Sequence, residues 1–190
     1  MKVIETALLE VKIIEPNVFG DERGFFYESF SAERYQALAG IKEVFVQDNL
    51  SRSSRGVLRG LHYQMKQTQG KLVSATRGAV LDVAVDVRFG SPQFGQHVAV
   101  ELSEENKRQL WVPAGFAHGF IVLSETADFS YKCTDYYHPD SEKSILWNDP
   151  DLQIQWPEDI VPQLSKKDKI GVCLKDMPER DLPLYEKEEL

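Results

Sequence analysis

The run Leu81-Asp82-Val83-Ala84-Val85-Asp86-Val87 constrains the fold more than any other stretch: branched apolar residues fill the odd positions, and Asp82, Ala84 and Asp86 share the even ones. Successive side chains of a strand point to opposite faces, so this pattern predicts a β-strand with two chemically distinct faces. His97-Val98-Ala99-Val100-Glu101-Leu102 reads as another strand, and Phe116 to Leu123 and Asp128 to Tyr136 as two more. Turn residues separate them at Arg77-Gly78, Phe89-Gly90-Ser91-Pro92 and Pro113-Ala114-Gly115. Short strands punctuated in this way predict an all-β sandwich or barrel. Helix is scarce. Ser31 caps a short one through Leu38, with Tyr35 and Leu38 on one face, and a second can begin near Ser165.

With 190 residues, the chain is expected to form one domain over 1–190 with a substantial core. After Trp156-Pro157 the sequence becomes more charged and less periodic, so 157–190 is read as a C-terminal tail packing on the barrel. The net charge of −8 weighs against nucleic-acid binding, which leaves a basic footprint, but not against a small phosphate-bearing ligand held by a few arginines. The opening MKVIETALLEVKIIEPN has no uninterrupted apolar stretch, and no run approaches membrane-spanning length, so a cytoplasmic location is expected. Cys133 and Cys173 lie far apart without a C-x-x-C pattern, which indicates neither a disulfide framework nor a zinc knuckle.

Chemistry concentrates in Arg59-Gly60-Leu61-His62-Tyr63-Gln64. It sets an imidazole that can exchange protons near neutral pH beside a guanidinium fork suited to phosphate or carboxylate. Gly70-Lys71-Leu72-Val73 adds a second cation shortly afterwards. A base, an anion holder and a further cation suggest proton removal from an anionic substrate; the same residues could also be surface charges on a hairpin, and spacing alone leaves both open. Pro113-Ala114-Gly115-Phe116-Ala117-His118 has a P-x-G-x-x-H pattern that resembles the second motif of the cupin superfamily. Where metal-binding cupins carry an H-x-H pair, this chain has His62-Tyr63-Gln64. One imidazole is missing, so no metal is expected and His62 is left free to act as a base. Phe129, Tyr131 and Cys133 share one strand face; if that face is the barrel interior, Tyr131 is a candidate acid across the cavity from His62.

Several groups converge in order and spacing: Glu22-Arg23-Gly24-Phe25-Phe26-Tyr27-Glu28, Gln47-Asp48-Asn49-Leu50-Ser51, Gly56 to Gln64, Gly70 to Val73, Pro113 to Phe120, Tyr131-x-Cys133 and Leu164-Ser165-Lys166-Lys167-Asp168. From about Ile13 to about Asp168 the chain closely resembles the dTDP-4-dehydrorhamnose 3,5-epimerase family. The resemblance implies a cupin-type double-stranded β-helix (jelly roll), a homodimer, no cofactor and a dTDP-4-keto-6-deoxy sugar substrate inverted at C3 and C5. It implies that His62 is the general base with Asp168 orienting its ring, that Lys71 meets the enolate charge, and that Tyr131 returns a proton from the other face. Substrate binding would fall to Arg23, Glu28, Gln47, Asp48, Asn49, Arg59, His118, Tyr137, Glu142 and Lys167. A related enzyme that inverts one carbon, or shifts the ketone, is the nearest alternative; a metal-dependent cupin and a non-catalytic sugar-binding jelly roll are the others.

Two positions resist this reading. Arg59 and His62 have opposite parity and would face opposite ways in a regular strand. Between a bulge and an approach around an edge or dimer interface, the latter is expected. The parity of Asp82 allows it to face the cavity and orient His62 or His118; the reading preferred over a direct catalytic role is a rim carboxylate, solvated or hydrogen-bonded by a neighbour. His97 and His138 are expected at the surface, and Phe25, Phe26, Tyr27 and Phe30 are divided between a thymine-stacking role and the core.

Overall fold

The computed structural model describes residues 1–186. Its strands are β1 (Lys2–Glu5), β2 (Lys12–Glu15), β3 (Val18–Asp21), β4 (Gly24–Tyr27), β5 (Gln47–Ser54), β6 (Val57–Gln64), β7 (Lys71–Arg77), β8 (Ala79–Asp86), β9 (His97–Ser103), β10 (Gln109–Val112), β11 (Phe116–Val122), β12 (Thr126–Cys133), β13 (Glu142–Ser144) and β14 (Gln163–Leu164). One sheet runs β1-β2-β10-β7-β12-β5; the other runs β13-β6-β11-β8-β9, with β14 parallel to β6; β3 and β4 form a separate hairpin. The two larger sheets face each other as a cupin-like double-stranded β-helix. The four strands read from alternation are all present, each within a few residues of its expected bounds.

Between the sheets lies a core of Val73, Ala75, Val80, Ala84, Val100, Leu102, Phe116, Phe120 and Phe129, with Tyr131 packed against it. The even face of β8 is therefore the interior. The odd apolar face, Val83 and Val85, points outward and is buried with Tyr63, Ile145, Leu174 and Leu182. The expected tail extends to 190, and its last four residues, 187–190, lie outside the described residues.

The helix α1 (Ala32–Ala39) starts at Ser31, whose hydroxyl accepts from the Arg34 N–H, and stops at Gly40 in the left-handed region. Its buried residues are Tyr35 and Ala39, one turn apart, packed on Ile14, Leu72 and Trp111. Leu38 is 55% exposed, contrary to expectation, because the i, i+4 pair carries the contact. No second α-helix forms near Ser165 among the described residues; a single 3₁₀ turn, Asp168–Ile170, stands there instead. His97 and His138, expected at the surface, are half-buried.

Candidate active site

The interior core stops short of one end of the barrel and leaves a cavity of about 430 Å³, a size typical of small-molecule sites. Each wall reaches it by strand parity. On β5, Gln47, Asn49 and Ser51 point in, while Asp48, Leu50 and Arg52 are exposed. On β7, Lys71 precedes the interior Val73; on β12, Tyr131 follows the interior Phe129; on β11, His118 lies between the interior Phe116 and Phe120. Tyr137, Glu142, Lys167 and Asp168 close the remaining side.

Arg59 and His62 line this same cavity, which corrects the expectation of an edge or interface approach. His62 pairs with His118 and Arg59 with Phe120, so three steps on β6 oppose two on β11. The extra residue is a bulge that resets the parity. Gly60 makes it possible: at φ +126 it packs so closely that an added Cβ would lie 2.5 Å from the Gly119 Cα.

His62 Nε2 lies 2.7 Å from Asp168 Oδ1. A carboxylate only accepts, so Nε2 carries the proton and Nδ1, 3.7 Å from Glu142 Oε1, carries the lone pair. Burial works to raise the Asp168 pKa, but hydrogen bonds from His62, Ser165 and the Gly60 N–H outweigh it and hold the carboxyl at about 2. Asp168 is therefore a fixed anion behind the imidazole. Burial pushes the Lys71 ammonium down, and its Nζ has no hydrogen-bond or ion-pair partner among the described residues, which leaves it open to a ligand. Burial pushes the Tyr131 hydroxyl up, with Arg59 opposing, which keeps it protonated.

Around these groups, Arg59 is held by two hydrogen bonds to Ser53 Oγ. Glu142 takes the Tyr137 hydroxyl at 2.9 Å and also pairs with Lys167. His118 Nε2 lies 2.9 Å from both oxygens of Asp82, which is fully buried rather than at a solvated rim. Burial raises the Asp82 carboxyl, while the His118 ring and the Lys71 charge pull the other way. Among the described residues no group of three or more His, Cys, Asp or Glu is arranged to hold a metal ion.

Three predicted residues are not in this cavity. Asp48 faces outward by the alternation of β5 and pairs with Lys132 at 3.0 Å. Arg23 lies on the exposed β3–β4 hairpin against Asp21, and Glu28 pairs with Arg34 at 3.4 Å. Phe25 and Phe26, candidates for base stacking, are 61% and 70% exposed on that hairpin, whereas Phe30 packs on the helix. Sequence reasoning missed Ser51, Ser53 and Ser165 as site residues; it offered the Asp82–His118 pairing but preferred a rim position. Ser51 and Ser53 share the parity of Gln47 and Asn49, which could have revealed them; Ser165 precedes Asp168 by three residues, the spacing of a side-chain cap.

A cupin-like jelly roll with a carboxylate-held imidazole, a partnerless lysine and a tyrosine converging on one cavity defines the sugar-epimerase class. The model of that family, dTDP-4-dehydrorhamnose 3,5-epimerase, matches residues 5–176. A dTDP-4-dehydrorhamnose 3,5-epimerase of Pseudomonas aeruginosa is 58% identical over 93% of this chain and 97% of its own length. That of Salmonella typhimurium is 59% identical over 92% of this chain and 96% of its own. A 3,5-epimerase of Legionella pneumophila, solved in complex with dTDP-4-keto-L-rhamnose, superposes with a TM-score of 0.96 at 62% identity, covering 98% of this chain and 99% of the other. The chain belongs to the dTDP-4-dehydrorhamnose 3,5-epimerase family.

Proposed function

We infer that this chain is an isomerase that inverts C3 and C5 of dTDP-4-dehydro-6-deoxy-D-glucose, giving dTDP-4-dehydro-L-rhamnose. The observation that carries the reading is the His62–Asp168 pair opening into one cavity with Lys71 and Tyr131. The C4 ketone acidifies the hydrogens at C3 and C5. His62 Nδ1 takes the proton, and Asp168 stabilises the ring cation that forms; positioned acid–base catalysis contributes about 10²- to 10⁴-fold. The C–H electron pair moves into the enolate, and negative charge collects on the C4 oxygen. Lys71 meets it, an effect worth about 10²- to 10³-fold where the donor is preorganised. Tyr131 returns a proton from the opposite face and inverts the centre.

Gln47, Asn49, Arg59, His118, Tyr137, Glu142 and Lys167 hold the nucleotide and sugar, and this remote binding orients the reacting carbons. The reading extends to a homodimer. The β3–β4 ribbon exposes Phe19, Phe25 and Phe26, and β5 is the edge strand of its sheet among the described residues, with Leu50 outward. A second copy covering these surfaces would carry Arg23 and Glu28 to the neighbouring nucleotide.

The test is NMR of the substrate in D₂O with purified protein. Loss of both the H3 and H5 signals, abolished by His62→Ala, is the expected result. Exchange at one carbon only would make the chain a single-centre epimerase, and exchange that survives His62→Ala would remove the assigned base.

A further inference from the structure

Asp82 is unexplained by the scheme above. It lies on the interior face of β8 between the core residues Val80 and Ala84, with no solvent exposure. A carboxylate in such surroundings is costly, and a well-packed apolar residue there is often neutral or stabilising. Structure alone therefore gives no reason for an acid at this position. Its hydrogen bonds among the described residues all go to one atom: both oxygens lie 2.9 Å from His118 Nε2. The ring is also stacked on Phe129, with centroids 6.1 Å apart and planes 19° apart, so it is fixed in two directions. His118 Nδ1 has no protein partner among the described residues, and the ring lines the cavity. Asp82 and His118 thus form a second imidazole–carboxylate pair, and His118 is the direct cross-strand partner of His62.

We propose that Asp82 is a positioning residue for substrate binding: by holding His118 through Nε2, it presents Nδ1 to the sugar nucleotide. With the His118 ring and the Lys71 charge favouring the ionised form of Asp82, the carboxylate only accepts, so it fixes the proton on Nε2 and specifies which nitrogen faces the ligand. A ring without this partner could carry its proton on either nitrogen. The proposal rests on the cavity being the sugar-nucleotide site.

Two measurements test it. The first is ¹⁵N NMR of the His118 ring in the ligand-free wild-type protein, which needs no substrate and so separates failure of this proposal from failure of the functional reading. Nε2 is expected to be protonated; an unprotonated Nε2 overturns the proposal. The second is a double-mutant cycle of Asp82→Asn and His118→Ala, with dTDP affinity and KM as readouts and urea unfolding to verify the fold. Each single variant is expected to weaken binding about 10- to 100-fold, the range of a hydrogen bond to a charged group, and the double variant no further. Asp82→Asn within twofold of wild type, or effects that multiply in the double variant, would show that Asp82 does not act through His118. Should Asp82→Asn fail to fold, the wild-type ring spectrum still decides.

Discussion

At the scale of single residues, the site is a set of charges whose states are set by what touches them. Asp168 is the clearest case. Its pKa of about 2 lies below the ordinary 3.8, so the unfolded chain takes up the proton first as pH falls. The stability it contributes is complete above about pH 4 and is lost as pH drops toward 2; the shift corresponds to about 2 kcal/mol. Asp168→Asn should therefore lower the urea-unfolding free energy by about that amount at pH 7, with roughly half of the gap gone by pH 3. The same substitution should cost kcat about 10²- to 10⁴-fold, because the Nε2–H loses its anionic acceptor. A gap between the two proteins that stays constant from pH 7 to pH 3 would mean that the carboxylate is not the stabilising species. Lys71 is the opposite arrangement: burial disfavours its charged form and so works against folding, and its value lies in the negative charge that develops on the substrate.

At the scale of the strand, the site depends on one irregularity. The bulge in β6 turns Arg59 into the cavity that His62 already faces, and it exists because Gly60 and Gly119 pack backbone to backbone. Gly60→Ala would force a Cβ to within 2.5 Å of the Gly119 Cα and 2.8 Å of the His118 carbonyl oxygen. We expect a loss of about 3 kcal/mol or more in urea unfolding, combining backbone strain and steric overlap. Gly90→Ala is the control: its φ is also positive, +85, but nothing lies within 4 Å of an added Cβ, so only the backbone cost of about 1–2 kcal/mol remains. Equal effects at the two positions would mean that the close approach does not matter. This bulge also marks where the sequence stopped being legible. Alternation is local, so it revealed β8, β9, β11 and β12 and placed Gln47 and Asn49 on one side of β5. A bulge is a mismatch between two strands distant in sequence; within Arg59 to His62 the isolated Gly60 is its one local sign, and it does not separate a bulge from an edge approach. The two faces of β8 were legible as different, but not which was inside, because the apolar odd face is covered by Leu174 and Leu182, remote in the chain. Asp82 was consequently read at a rim when it lies in the core.

At the scale of the whole molecule, the proposed homodimer can be tested through the residues missing from the cavity. Arg23, assigned to nucleotide binding, stands on an exposed aromatic hairpin and among the described residues is bound to Asp21 alone. If Arg23 acts across a homodimer, each site combines the barrel of one protomer with the hairpin of its partner. Two inactive variants should then complement each other. Arg23→Ala supplies an intact barrel, and His62→Ala supplies an intact hairpin. Refolding the two together at equal amounts gives half heterodimers, each with one complete site, so about a quarter of wild-type activity should return by the symmetry of a closed dimer. Were Arg23 to act within its own chain, the only sites with an intact base would still lack Arg23, and mixing would restore nothing. Phe25→Asp provides the physical counterpart. Its ring is largely exposed in the single chain, so the substitution should leave the fold intact, shift the protein from dimer to monomer in light scattering, and weaken dTDP binding. Dissociation without loss of binding would separate assembly from the nucleotide site, and complementation in the mixed dimer would have to be explained by something other than a shared Arg23.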